Sequence, residues 1–305
     1  MNYSGQLKAI IEASGWSQEE LAARLNVSFV TLNSWVNTRS TPRKKAADNI
    51  RTLYFEVLGA DSLDVATLHE RKDEVSKLKT TISEIIDDKN VLNTLILHLT
   101  FNTNTIEGST MTLDDTKRVL FSHEVLANRT QIEQAEARNH EAALLWLLSE
   151  LQNKSFKFSE DMIIQLHLRL MNGIIGDAGQ YRQHKVRIMG AGVTVANYLK
   201  VPGLMHMLVD DINRPSSDPI AKLSATHAIF EKIHPFSDGN GRVGRLLMLA
   251  QALIYELVPP LIPKERKHAY YKYLELAQMR DNVRPLELFI VESIISANNL
   301  LFRDK

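Results

Sequence analysis

Cysteine is absent from the 305-residue chain. Its absence excludes disulfides and thiolate metal sites and suits a reducing compartment, so we expect a cytoplasmic protein. A net charge is also lacking, because Lys plus Arg and Asp plus Glu number 36 each. No overall charge therefore draws the chain to nucleic acid or to a membrane, and any such affinity must be local.

Long apolar runs are missing too. The longest, residues 246–261, is interrupted by Gln251 and Glu256 and divided by Pro259 and Pro260, which predicts a buried helix and a turn instead of a membrane span. The first residues lack the apolar core of a signal peptide. With 44% hydrophobic and 24% charged residues, the composition is that of an ordinary soluble globular protein. We expect no membrane attachment.

Strand-like alternation is scarce, whereas helical periodicity is common. Apolar residues recur at helical spacing in residues 92–99, 142–151, 162–171 and 223–233. This pattern predicts an all-α fold. The length allows one sizeable core with a small attached domain.

The most informative segment runs from His234 to Arg245 and reads His-Pro-Phe-Ser-Asp-Gly-Asn-Gly-Arg-Val-Gly-Arg. Its glycines, which lack a β-carbon, let backbone N–H groups turn towards an anion, and the helix predicted from Val243 would point its positive N-terminal end at the same place. Asp238 offers a hard oxygen ligand that suits Mg²⁺. Arg242 and Arg245 can reach phosphates as forked donors. The segment predicts a site for nucleotide phosphates.

His234 stands at the entrance of this loop. Pro235 pushes the residue before it out of the helical region, so a helix that ends near Ile233 should present His234 to the cleft. A histidine there can accept a proton near neutral pH. A purely structural turn needs the glycines, but it does not need a histidine, an aspartate and two arginines at these offsets. The whole segment therefore indicates catalysis.

This segment resembles the signature of the Fic family, His-Pro-Phe-x-Asp/Glu-Gly-Asn-Gly-Arg-x-x-Arg. Fic proteins typically transfer the AMP part of ATP to a hydroxyl of a target protein. The resemblance covers roughly residues 101–292, and it implies a mainly α-helical fold with a small β-hairpin flap. Gly241 stands where the related phosphotransferase branch, Doc, has a lysine, which favours AMP transfer.

The resemblance implies a role for most of the loop. His234 is then the base that deprotonates a Ser, Thr or Tyr hydroxyl, Phe236 anchors the loop to the core, and Asp238 binds Mg²⁺. Arg242 matches the contact to the γ-phosphate. The full set of implied ATP contacts is Asp238, Gly239, Asn240, Gly241, Arg242, Gly244, Arg245, Tyr270, Tyr271 and Gln278. For the two tyrosines, an ordinary place in the core is the alternative.

A second segment, Thr103 to Gly108, resembles the family's inhibitory motif, Ser/Thr-x-x-x-Glu-Gly/Asn, which lies on a helix that plugs the nucleotide site. Thr103 and Glu107 are four residues apart, so they share one face of a helix. Gly108 suits the helix end. The resemblance implies that Glu107 competes for Arg242 and withdraws it from the γ-phosphate. We therefore expect an autoinhibited enzyme.

A third segment resembles the family's flap, a hairpin that aligns the target backbone by strand addition. It begins at Gly179-Gln180-Tyr181-Arg182, and its β-prone residues are Val186, Arg187, Ile188 and Met189. A surface hairpin without substrate contact is the alternative. Two hydroxyls near the flap, Thr194 and Tyr198, are candidates for self-modification.

Residues 17–45 resemble the helix-turn-helix of the Cro and lambda-repressor class. Ser17 can cap a first helix, and residues 28–36 would form the recognition helix. The class has Glu and Gly where Val36 and Thr38 stand. The side chains available for base edges or phosphates are Ser28, Thr31, Asn33, Arg39, Arg43, Lys44 and Lys45. DNA binding is thus predicted, with a docking or dimerising module as the alternative.

The predicted organisation has five parts. These are a helix-turn-helix domain (1–50), a helical connecting segment (51–100), the inhibitory helix with its supporting helices (101–155), a Fic catalytic core (156–292) and a C-terminal tail (293–305).

Three functions follow from these motifs. The first is an autoinhibited protein adenylyltransferase that uses ATP and Mg²⁺ on a target protein. The second is a transcriptional regulator whose Fic-like part senses a nucleotide, although a sensor has no need of His234. The third is hydrolytic removal of AMP, in which Glu107 would position water. The sequence leaves the target and the oligomeric state open, and a homo-oligomer remains compatible with it.

Overall fold

The computed structural model describes residues 2–58, 65–187, 192–280 and 282–302. Within these ranges the chain forms fifteen α-helices and two short 3₁₀-helices. The only β pairing in the same ranges is an isolated antiparallel bridge between Lys79 and Leu257. The predicted all-α fold is therefore confirmed. None of the described helices combines the length and the apolarity needed to cross a bilayer.

The helices fall into three consecutive groups. The N-terminal group is α1 (Tyr3–Ser14), α2 (Gln18–Arg24), α3 (Phe29–Val36) and α4 (Lys44–Leu58). The middle group is α5 (Val65–Ser76), α6 (Ile82–Ile86), α7 (Lys89–Glu107), α8 (Leu113–Phe121), α9 (Gln131–Leu151) and α10 (Glu160–Met171). The C-terminal group is α11 (Val201–Ile212), α12 (Pro219–Ile233), α13 (Asn240–Ile254), α14 (Lys267–Arg280) and α15 (Arg284–Leu301).

The N-terminal group has its own core, in which Leu32 and Trp35 of α3 pack against α1, α2 and α4. Ser17 caps α2 with a capping box, as the sequence predicts. Thr38, which stands where the class has glycine, has φ 58°, in the left-handed region. A β-branched residue is strained there, because its side chain crowds the backbone.

The side chains predicted to contact DNA differ in their exposure and in their hydrogen-bond partners. Ser28, Arg39, Arg43 and Lys45 are exposed, as are the apolar Phe29 and Val30 at the start of α3. By contrast, Asn33 donates to Gln18 on α2 (3.1 Å), and the Lys44 ammonium donates to Ser296 on α15 (2.7 Å). Lys44 is exposed as well, and its ammonium points towards the C-terminal helices.

Helix α4 joins the N-terminal core to the rest of the molecule. Ile50 belongs to the first core and Phe55 to the second, so the predicted boundary at residue 50 falls inside a helix. At the other end, residues predicted as a C-terminal tail continue α15 to Leu301, and Ile294 and Ala297 are buried. Apolar residues at helical spacing account for this burial.

Buried charges reinforce the junction. Arg266 holds Asp48 of α4 in a bidentate pair at 2.6 and 2.7 Å and also donates to Glu292 of α15 at 2.7 Å. Arg51 donates to the same Glu292 at 2.8 Å. We call these four residues the junction cluster. It ties the N-terminal helices to α15 and to the segment that immediately precedes α14.

The larger core surrounds the hairpin of α12 and α13. Helix α13 packs on α7, α9 and α10, and α12 packs on α11, α14 and α15. Every residue of α13 from Asn240 to Leu253 is buried except Gly241. The loop between the two helices, residues 234–239, opens on one side of this core and begins the site described next.

Candidate active site

His234 follows the last residue of α12. Its φ and ψ of 52° and 62° are left-handed, so the helix ends at Ile233, as predicted from Pro235. The imidazole Nδ1 lies 3.2 Å from the carbonyl oxygen of Glu231. A carbonyl can only accept, so this contact assigns the proton to Nδ1 and leaves the Nε2 lone pair as a base. Burial lowers the pKa of His234, which keeps the imidazole neutral near pH 7.

The loop after His234 is fixed from both sides. Phe236 is fully buried, and its ring stacks on His167 with the centroids 3.7 Å apart. The Asn240 side chain accepts from the Phe236 N–H and donates to the Phe236 carbonyl, both at 2.9 Å. Phe236 therefore anchors the loop, and the Asn240 amide closes it.

Gly239 begins the turn that the sequence predicts as a phosphate site. It precedes α13 with φ 79°, and a β-carbon there would lie 2.8 Å from the sulfur of Met171. Only glycine suits both the conformation and the space. The positive end of the α13 dipole points into the open side of the loop, where an anion is stabilised. Asp238 is 63% exposed beside it.

The two arginines of the loop face different helices. Arg245 donates from Nε to Thr103 Oγ1 at 3.1 Å and from Nη2 to Glu107 at 2.5 Å. Arg242 instead donates to Glu136 of α9 at 2.7 Å. The prediction that Glu107 competes for Arg242 is wrong, because three residues along α13 turn only Arg245 towards α7.

Glu107 ends α7, and Gly108 follows it as a left-handed cap with φ 116°. Thr103 and Glu107 share the helix face that meets Arg245, as their spacing predicts. Burial raises the pKa of Glu107, but the adjacent Arg245 outweighs it, so the net shift is downward and the carboxylate is charged. A β-carbon on Gly241 would lie 2.3 Å from its Oε1. Glu107 therefore lies directly against the first turn of α13.

These elements enclose a cavity of about 750 Å³. It brings together the loop, Glu107 and α14, and its lining includes His234, Asp238, Gly241 and Arg245. Arg242, Thr103 and Phe236 lie behind this surface and are not among its lining residues. The cavity has the volume of a small-molecule site and carries an anion nest at one end.

Helix α14 forms the opposite wall. Tyr270, Tyr271 and Gln278 all line the cavity. Tyr271 is 38% exposed, whereas Tyr270 is buried and its hydroxyl lies 2.6 Å from Nε2 of His227. The Gln278 amide donates to the Ala228 carbonyl at 3.3 Å. Tyr270 and Gln278 therefore support the wall and use their polar groups on α12, while Tyr271 presents its ring to the cavity.

Residues 157–252 match the family model of the Fic/DOC family, and residues 7–52 match that of a helix-turn-helix. The first match runs from just before α10 into α13 and contains the whole loop. The match identifies a Fic/DOC domain in residues 157–252. The recognition made from the sequence is confirmed for both domains.

Relatives extend the similarity beyond the Fic domain. Protein adenylyltransferase Fic of Nematostella vectensis is 28% identical over 260 residues, which are 78% of this chain and 60% of that protein. The protein of the same name from Drosophila mojavensis is 28% identical over 82% of this chain and 48% of its own length. The chain thus spans about half the length of the curated relatives that it matches.

Solved structures share the fold. Fic-1 (residues 134–508) from C. elegans is 24% identical, with a TM-score of 0.65, and the match covers 92% of this chain and 84% of that one. A Fic domain containing signaling protein from Bacteroides thetaiotaomicron is 23% identical, with a TM-score of 0.63 over 79% and 98% of the two chains.

The flap of the Fic domain differs from the sequence prediction. Ile188 and Met189 lie outside the described residues. In the described arms, residues 183–187 and 192–197, no strand is formed. The Arg182 side chain instead donates to the carbonyls of His184 and Ala196 at 2.8 and 2.6 Å. The arms are thus bound to a buried arginine, so the expected hairpin ladder is absent from the described part.

Arg187 lines the cavity, and Val186 lines a neighbouring one between the arms. The Gly192 N–H donates to Glu275 of α14 at 3.2 Å, so the second arm approaches the cavity wall. The flap residues therefore reach the site without a hairpin among the described residues.

Sequence reasoning missed four charged groups in or next to the site. Glu136 pairs with Arg242, Glu231 lies behind His234, and Lys267 and Glu275 line the cavity from α14. The sequence does indicate Glu231, because it lies three positions before His234, on the last turn of α12. It does not indicate the others, because α9 and α14 reach the loop only in the folded chain.

Proposed function

We propose that this chain is a protein adenylyltransferase, which transfers AMP from ATP to a Ser, Thr or Tyr hydroxyl of a target protein. The observation that carries the proposal is the neutral His234, whose Nε2 is available as a base beside the anion nest of α13. A site that only senses nucleotide needs the nest but not the base. The names of the relatives support the same activity.

Each part of the cavity then has a role. The ATP phosphates bind at the N-terminus of α13, and the purine lies towards Tyr271 on the α14 wall. His234 accepts the proton of the target hydroxyl at Nε2. The hydroxyl oxygen forms a bond to the α-phosphorus while the bond to the bridging oxygen breaks, and pyrophosphate leaves. The reaction depends mainly on positioning and charge neutralisation.

Asp238 is the residue that would hold Mg²⁺. It is exposed to the cavity next to the nest, and Mg²⁺ is commonly bound by one or two carboxylates together with substrate phosphates. Bound there, the ion would neutralise phosphate charge. The single carboxylate fits this mode, since the phosphates supply the other oxygens.

We also propose that Glu107 inhibits the enzyme by holding Arg245. Its carboxylate covers Gly241 and accepts from Nη2 of Arg245, so a phosphate that needs this space and this cation must displace it. Thr103 also holds Arg245 in place, because its hydroxyl accepts a hydrogen bond from Nε of that arginine. Arg242 remains with Glu136 and is not withdrawn by Glu107.

The test follows label from α-labelled ATP, with Mg²⁺, onto the protein itself and onto a cell lysate. Glu107→Gly should raise the transfer of label strongly, and His234→Ala in that background should abolish it. Glu124→Gly, at an exposed ion pair with Arg118, and His206→Ala, which is 70% exposed, are matched controls. An absence of label in every variant, with nucleotide binding intact, would refute the proposal.

Self-modification is part of the same proposal. Thr194 lines a cavity beside the flap arms, and Tyr198 follows it in a short 3₁₀-helix. Peptide mass spectrometry after incubation with ATP should find an AMP adduct on one of them. An unmodified protein that still labels the lysate would restrict the activity to other targets.

A second proposal concerns the helix-turn-helix. Ser28, Phe29 and Val30 are exposed at the start of α3, where a recognition helix meets base edges. Exposed apolar groups there can contact thymine methyls, while Arg39 and Arg43 can bind phosphates. The expected result is a mobility shift of duplex DNA that weakens as salt rises. No shift at low salt would favour docking to a protein.

A further inference from the structure

One buried carboxyl group near the reacting atoms has no role in the mechanism above. Glu231 lies on the last turn of α12 and is 5% exposed. Its Oε2 is 3.9 Å from Nδ1 of His234. Among the described residues its other oxygen, Oε1, has no hydrogen-bond partner. A buried polar atom without a partner is costly, which suggests a functional reason.

Gly244 makes room for this carboxyl group. A β-carbon at residue 244 would lie 2.5 Å from Glu231 Oε1, closer than real contacts allow. Gly244, the third glycine of the segment 234–245, therefore faces Glu231. Glu231 also lines the nucleotide cavity, so its carboxyl group is enclosed by the same walls as the substrate.

Charged and titratable groups from three neighbouring helices and from α12 itself face Glu231. They are Arg245 of α13, Glu107 of α7, Tyr270 and Tyr271 of α14, His227 of α12, and His234, which directly follows α12. Burial raises the pKa of Glu231 to about 8; Arg245 lowers it, and Glu107 adds to the rise. The group therefore ionises above neutral pH.

We propose that Glu231 is a positioning residue for His234, stabilising the imidazolium that forms during transfer. This inference rests on the proposed function. When the target hydroxyl gives its proton to Nε2, its electron pair forms the bond to the α-phosphorus and the electrons of the broken phosphorus–oxygen bond leave with pyrophosphate. His234 keeps its proton on Nδ1 and gains a positive charge. An ionised Glu231 lies beside that charge and stabilises it.

The pH dependence follows from the sign of each charge. Below the pKa of Glu231 the carboxyl group is neutral and does little for the imidazolium. Above it, the carboxylate stabilises the imidazolium and the transfer rate rises. We expect about a tenfold rise in kcat, the effect of moving the pKa of His234 by about one unit.

The activity test compares pH profiles of kcat in the Glu107→Gly background, from about pH 6 to about pH 9.5, a range that brackets a group shifted this far. In the Glu107→Gly protein, kcat should rise as the pH passes through the pKa of Glu231. With Glu231→Gln added, kcat should stay at its low-pH value across the whole range. A Glu231→Gln profile that still shows the rise would overturn the proposal.

A second readout does not depend on catalysis. The Cε1–H resonance of His234, followed by NMR across the same pH range, should show a second inflection at the pKa of Glu231 in the wild type. Glu231→Gln should remove it, and so should Gly244→Ala, which displaces the carboxyl group. Gly203→Ala, whose added β-carbon meets nothing within 4 Å, is the matched control.

The two readouts separate the two proposals. Identical His234 titrations in the wild type and in Glu231→Gln would refute the contact on which the inference depends. A coupled titration without any transfer of label would leave the role of Glu231 towards His234 supported and would overturn the adenylyltransferase proposal instead.

Discussion

Asp48→Ala should lower the thermal stability of the whole chain, because it breaks the junction cluster. Asp48 is 4% exposed and Arg266 is 2% exposed, so the change leaves a buried guanidinium with Glu292 as its remaining carboxylate partner. Removing one partner of a buried ion pair costs about 3–5 kcal/mol. The retained Glu292 contact places the expected loss near the lower end, at about 3 kcal/mol.

That loss converts into a shift of the melting temperature. An unfolding entropy of about 2.1 cal/mol/K per residue gives about 0.6 kcal/mol/K for a chain of this length. The expected drop in Tm is therefore about 5 °C by differential scanning calorimetry. Glu74→Ala is the control, since the Arg71–Glu74 pair is 45% and 44% exposed and such pairs contribute under about 1 kcal/mol. A drop for Asp48→Ala no larger than that of the control would refute the reasoning.

Three further predictions use the same melting experiment. Gly241→Ala should lose about 1–3 kcal/mol, because the added methyl overlaps the Glu107 carboxylate, whereas Gly203→Ala should not be destabilised. Thr38→Gly should gain about 1 kcal/mol by relieving the left-handed strain, and a lower Tm would contradict that cause. Arg51 and Arg266 hold the pKa of Glu292 below its unfolded 4.5 although burial raises it, so its stabilisation is present above pH 4.5 and disappears as the pH falls through the folded pKa. Glu292→Gln should flatten this acid loss of Tm, and an unchanged acid slope would argue against it.

The sequence predicts those features that depend on local rules. His234 leaves α12 because Pro235 follows it, and Gly108 ends α7 because glycine tolerates a left-handed cap. Thr103 and Glu107 share a face because a helix repeats every 3.6 residues. These parts of the fold and of the site need no knowledge of tertiary packing.

The rest depends on how helices pack, which a single sequence does not encode locally. Arg242 and Arg245 are equally plausible partners for Glu107 until the position of α7 on α13 is known. The flap was predicted from β-prone residues, yet Arg182 binds the carbonyls of its arms. The family resemblance and the β-propensity of residues 186–189 therefore do not reveal the contacts that a buried arginine makes with the arms.

The side-chain amide of Asn240 binds both backbone groups of Phe236 within the protein itself, without help from a ligand. The loop is therefore preorganised, and the entropy of ordering it is lost during folding and not when a nucleotide binds. In the proposed nucleotide complex, the affinity then includes the displacement of Glu107 by phosphate but no cost of ordering this loop. A change at Asn240 would transfer the ordering cost to the binding step, so that weaker binding would accompany an unaltered set of phosphate contacts.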